Sequence, residues 1–79
     1  MKTKYIKTKD DEIIVFGEIM NHSDFRFMNP VSAGFISFGI DEQGNPTCKC
    51  YGHSVSLNLP SDEEKDTLLA RRTFGFDWW

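Results

Sequence analysis

Between residues 33 and 51 apolar and polar side chains alternate on both sides of one turn, and this two-residue period constrains the fold more than any other feature. In 33–41, Ile36, Phe38 and Ile40 share one face and Ser37, Gly39 and Asp41 the other, with Phe35 out of step. Asp41-Glu42-Gln43-Gly44-Asn45 is a reversal in which Gly44 can take positive φ, and Pro46 opens the next run. In 47–51, Cys48 and Cys50 share one face while Thr47, Lys49 and Tyr51 share the other. The pattern predicts an antiparallel hairpin whose thiols point at a core.

The flanking segments extend this sheet. Residues 3–8 and 12–17 are strand-like and separated by Lys9, Asp10 and Asp11, so they are expected to form an N-terminal hairpin. Ile13, Ile14, Val15 and Phe16 are consecutive, the pattern of a strand covered on both faces, which predicts a place inside the sheet. Residues 19–32 form either a short helical turn capped by Asn21 or Ser23 and stopped at Asn29-Pro30, or an irregular loop. Beyond Gly52 the apolar parity switches from Cys48 and Cys50 to Val55, Leu57 and Leu59, which calls for a bulge or sharp bend near Gly52-His53-Ser54.

Ser61 and Glu64 have the spacing of a capping box, with Arg71 and Arg72 near the far end and Gly75 as terminator. A helix follows, with Leu68, Leu69 and the stem of Arg72 as its buried stripe. Strands first and helix last predict an α+β fold: a four- or five-stranded antiparallel meander with one C-terminal helix packed on one face, in a single domain spanning residues 1–79.

Composition narrows the function classes. Seven Phe, two Trp and two Tyr in 79 residues favour a folded core over disorder. Nine basic against twelve acidic residues give a net charge of −3, the wrong sign for a default nucleic-acid binder, so a nucleic-acid partner is not expected. The longest apolar run, Ile13–Phe16, has four residues, whereas a spanning helix needs about 20. No membrane partner is expected, and with no hydrophobic leader the reading is cytoplasmic. Cys48 and Cys50 close too small a ring for a sound disulfide, which agrees with free thiols in a reducing compartment.

The residues bear on three chemistries. His22, Cys48, Cys50 and His53 are four soft or borderline ligands, the number tetrahedral zinc takes, yet Cys-x-Cys is not the usual Cys-x2-4-Cys spacing. They are read as two buried thiols and two surface histidines, with metal binding or thiol chemistry as an alternative. A Cys50–His53 nucleophile pair falls on opposite faces of an unbroken strand. Asp10, Asp11 and Glu12 lie in a turn, and Asp62, Glu63, Glu64 and Asp66 on the helix, where capping and solvation account for them. Neither a catalytic residue nor a cofactor is expected. The stretch 34–38 lacks the leading basic residue of RNA-recognition strands and is expected to be ordinary core.

Interaction is the remaining function. Phe74, Phe76, Trp78 and Trp79 crowd the C-terminus, and Phe25, Phe27 and Met28 sit in the long connection. Either the tail folds back to finish the core and Phe25, Phe27 and Met28 form a lid over one sheet face, or Phe25, Phe27, Met28, Phe76, Trp78 and Trp79 are contact residues, for a protein partner or for self-association. Ser32-Ala33-Gly34-Phe35, a turn, Tyr51-Gly52-His53-Ser54-Val55-Ser56-Leu57 and a helix with an acidic start resemble small uncharacterised bacterial or mobile-element proteins over residues 32–72. No activity is implied by that resemblance, and it favours an accessory protein of bacterial or phage type. The resulting expectation is a non-enzymatic protein-binding module, with an acidic nucleic-acid mimic as the alternative suggested by the net charge.

Overall fold

The computed structural model describes residues 2–76. Four strands, β1 (Thr3–Thr8), β2 (Ile13–Phe16), β3 (Pro30–Ile40) and β4 (Pro46–Tyr51), form one antiparallel sheet in the order β2-β1-β3-β4. Two-residue strands β5 (His53–Ser54) and β6 (Leu59–Pro60) pair separately, and helix α1 (Glu63–Thr73) ends the chain's regular structure. The class is α+β, as the alternation predicts, but the strand order is not that of a simple meander. Residues 17–29, which include a 3-10 segment at His22–Met28, carry the chain past β1, so that β3 pairs with β1 rather than β2.

This corrects the position of β2. Its unbroken apolar run does report two covered faces: Ile13 and Val15 pack with the core beneath α1, and Ile14 and Phe16 with the core on the opposite side. Coverage on both faces is compatible with an edge, and β2 is an edge strand.

Register sorts every side chain. Tyr5, Ile36, Cys48 and Cys50 face α1 with Ala70, and Leu69 and Phe76 pack against them. Ile6, Phe16 and Ala33 face the other way, under Phe25 and Met28 of the 3-10 segment and Leu57 and Leu59 of the β5–β6 unit. The molecule is thus three layers with a core on each side of the sheet. Both cysteines are buried and unpaired, as their parity predicts. The bend after β4 is present, with Gly52 at φ +80°, but the parity argument holds only in part beyond it: Leu57 and Leu59 pack inward while Val55 is exposed.

Helix α1 departs from its expected N-terminus. The N-cap is Asp62, with no side-chain cap bond, and the Ser61 hydroxyl is instead held by Tyr5. The buried stripe is Asp66 and Ala70, flanked by Leu69, while Leu68 and Arg72 are exposed. The C-terminus follows expectation: Gly75 has φ +77°, its N–H reaches Arg72 O at 3.2 Å and the Phe76 N–H reaches Arg71 O at 2.6 Å, a Schellman closure. Among the described residues no helix is long and apolar enough to cross a membrane.

Candidate functional site

The largest assembly of polar side chains lies inside the protein, between sheet and helix. Tyr5 and Lys7 are two apart on β1 and so share the α1 face, and Ser32 on β3 is the register partner of Lys7. Opposite Tyr5 stands Gly34, where a Cβ would collide with the Tyr51 carbonyl oxygen and crowd the Ser61 Cβ, so the absence of a side chain there makes room for Ser61. Asp66 descends from the first turns of α1 into this space and is fully buried.

The Asp66 carboxylate organises the cluster. Its Oδ2 accepts from the Tyr5 hydroxyl at 2.5 Å, the Ser32 hydroxyl at 2.6 Å and the Asp62 N–H at 3.2 Å, and its Oδ1 meets Lys7 Nζ at 2.8 Å. Because the single phenolic proton goes to Asp66, Ser61 donates to the Tyr5 oxygen across 2.5 Å.

These surroundings fix the protonation states. Burial opposes ionisation of Asp66, but hydrogen bonds from Lys7, Ser32 and Tyr5 outweigh it and hold the carboxyl below its ordinary value. Burial likewise works against the Lys7 cation, and the Asp66 contact outweighs it and raises Lys7. Burial and the bond to Asp66 push the Tyr5 phenol far up. The result is a Lys7–Asp66 ion pair beside a protonated Tyr5 phenol, an arrangement that ties β1 and β3 to α1. The expectation that solvation and capping account for Asp66 is corrected here: it is the buried anchor of α1. A helical Asp facing Leu69 and Ala70 rather than solvent was the available signal, but only the register of Lys7 and Tyr5 gives it meaning.

The sheet separates the four candidate metal ligands. Cys48 and Cys50 lie beneath α1, and burial raises both thiols, Cys50 to about 12 with help from the nearby Asp66 and Cys48 charges. His22 is on the other side and is buried, not at the surface as expected. Its Nε2–H donates to the Gly34 carbonyl at 2.8 Å, and its ring meets Phe16 and Phe35 edge to face. Burial lowers its basicity, and the Lys4 charge adds to this. His53 is exposed on the same side as His22. Among the described residues no three His, Cys, Asp or Glu side chains are grouped to hold a metal ion.

The candidate contact residues divide. Phe25 stacks on Phe16 with ring centroids 4.3 Å apart, and Met28 packs over the same core, so both form a lid. Phe27, 77% exposed, projects outward. Phe76 packs against the core beneath α1 and lies 6.2 Å from Phe74. Trp78 and Trp79 lie outside the described residues. A second apolar group was missed as a surface: Phe38 and Ile40, expected to face the core, are 48% and 75% exposed, and Phe74, 38% exposed, meets Phe38 edge to face. Their alternation is correct, but β3 outruns the helix that would cover them.

Phe35 belongs to neither core cluster, contrary to its expected role. It stands on the sheet face opposite α1, between Lys4 and Tyr51 in register. Compared with models of protein families, with curated proteins and with solved structures, the chain matches none.

Proposed function

We propose that this chain is a non-enzymatic protein-binding module that makes contact through the apolar end of β3 and the adjoining C-terminus of α1. The observation that supports this reading is the exposure of Phe38, Ile40 and Phe74 side by side on a sheet face that α1 leaves uncovered. The state of the polar groups agrees with it. Asp66, Lys7 and Tyr5 engage one another between sheet and helix, and Cys50 lies in the core next to them, so these groups serve the fold in this reading. A cytoplasmic setting goes with this reading, because Cys48 and Cys50 face the core as free thiols, the state that a reducing compartment maintains.

The test compares the natural protein with a Phe38→Thr/Ile40→Thr variant, which keeps β-branched residues on the strand. Light scattering over a concentration series and capture from host extract are the readouts. The natural protein is expected to self-associate or to capture a defined protein set, and the variant to lose that behaviour with an unchanged melting temperature. A natural protein that stays monomeric and captures nothing beyond what the variant captures contradicts the proposal.

A further inference from the structure

The sheet face opposite α1 is only half covered. The 3-10 segment and the β5–β6 unit lie over Ile6, Phe16 and Ala33, whereas Ser37, Gly39 and Lys49 on the remaining half are exposed. At the boundary Lys4, Phe35 and Tyr51 stand abreast on β1, β3 and β4, as register partners across three strands. The Phe35 and Tyr51 rings are 5.8 Å apart and inclined by 34°, a stepped pair of aromatic surfaces. Lys2 Nζ lies 4.9 Å from the Phe35 centroid, and Lys4 Nζ donates one bond to the Met20 carbonyl at 2.8 Å, leaving its other N–H groups unclaimed among the described residues.

Charge is segregated around this pair. Two open depressions lie beside this pair: Lys4, Asn21, His22, Phe35 and His53 line one, and Lys2, Thr3, Ile36, Ser37, Phe38 and Tyr51 line the other. Neither is lined by a carboxylate. Acidic residues cluster at 10–12, 41–42 and 62–64, and nearer this face stand Glu18 and Asp24, the latter with its Oδ2 accepting the Asn21 N–H at 2.9 Å beside the first depression. The net charge of −3 is a sum over the chain and does not by itself set the local field beside Lys2 and Lys4.

We propose that this face binds single-stranded nucleic acid, with bases stacked on Phe35 and Tyr51 and the backbone held by Lys2 and Lys4. Adjacent aromatic rings on a sheet accept unpaired bases in any sequence, and lysines beside them attract the phosphates. A duplex offers phosphates but keeps its base faces stacked, so it satisfies only half of this surface. The proposal concerns a different ligand from the protein contact at Phe38 and Ile40; the two surfaces adjoin where Phe38 borders the second depression, and the lysine and Phe38/Ile40 variants test them separately.

The test measures fluorescence anisotropy of labelled oligo(dT), oligo(U) and a duplex of equal length with the full chain. Binding of either single strand in preference to the duplex is expected. A Lys2→Gln/Lys4→Gln variant, which leaves the core intact, is expected to bind about fivefold or more weakly at low salt. Its salt dependence should be shallower by about 1.4 log units of affinity per log unit of salt, about 0.7 for each lysine removed. Phe35→Leu and Tyr51→Leu should each weaken binding about fivefold or more if folded by circular dichroism. Lys65→Gln, on the exposed side of α1, is the control and should have little effect. A folded natural protein that binds neither strand, a duplex bound as tightly as the single strands, or a Lys65→Gln loss equal to that of the double lysine variant overturns the proposal.

Discussion

At the scale of single residues, Asp66 has the largest energetic consequences. Removing one partner of a buried ion pair leaves the other charge unpaired, which costs about 3–5 kcal/mol. Asp66→Ala strands the Lys7 cation and two hydroxyl donors, so a loss of that size is expected in urea denaturation, large for a chain of 79 residues. The same cluster contributes to the pH profile. The Asp66 carboxyl is held below its ordinary 3.8, so its contribution is complete above that value and disappears as pH falls through the lower folded value. Lys7 and Tyr5 are both raised, from 10.5 and 10.0, so their contributions are complete below those values and fade as pH rises past them. Stability measured by thermal melting is expected to decline below pH 6.5, because burial lowers His22, to fall further below pH 3.8 through Asp66, and to fall above pH 9, where the buried thiols and then Tyr5 and Lys7 lose protons more readily in the unfolded chain. Asp66→Asn should abolish the Asp66 share of the acid limb.

At the scale of elements, α1 is fastened to the sheet by polar contacts as much as by its narrow apolar stripe. The outer edge of β4 is closed by groups from α1 and its approach: Thr67 Oγ1 accepts the Cys50 N–H at 2.9 Å, Arg71 Nε–H donates to Cys48 O at 3.3 Å, and the Ser61 N–H donates to Gly52 O at 3.0 Å. An edge closed in this way no longer offers that row of groups to another strand. Thr67→Val keeps the side chain's shape and leaves the Cys50 N–H without its acceptor, so a loss of about 1–2 kcal/mol is expected in chemical denaturation. Faster amide exchange at Cys50 should accompany it. These contacts also show why some elements were legible in the sequence and others were not. The hairpin of β3 and β4, the inward thiols, the Gly52 bend and the Gly75 terminator depend on local period or on positive φ, which residue types announce. The edge position of β2, the burial of His22 and the diversion of Ser61 from capping to Tyr5 depend on what packs across the sheet. Phe38 and Ile40 show the same limit from the other side: their parity is correct, and only the length of α1 decides that they are exposed.

At the scale of the whole molecule, the sheet divides the protein into one face whose polar chemistry is sealed and two regions that meet solvent with organised side chains. The sealed region, centred on Asp66, secures the fold. These regions are the exposed apolar end at Phe38, Ile40 and Phe74 and the cationic aromatic face at Lys2, Lys4, Phe35 and Tyr51, where Lys4 and both rings are half-buried. On this view a change that discharges the interior should weaken the protein and leave its contacts unaltered, while a change at the exposed end should do the opposite. The most direct measurement is a parallel capture experiment below the melting temperature with Asp66→Asn, which keeps an acceptor for Tyr5 and Ser32, and with Phe38→Thr/Ile40→Thr. Asp66→Asn is expected to melt lower and to retain the natural protein's partners, and the surface variant to melt unchanged and lose them. A folded Asp66→Asn protein that loses those partners, alongside a surface variant that keeps them, would contradict the account.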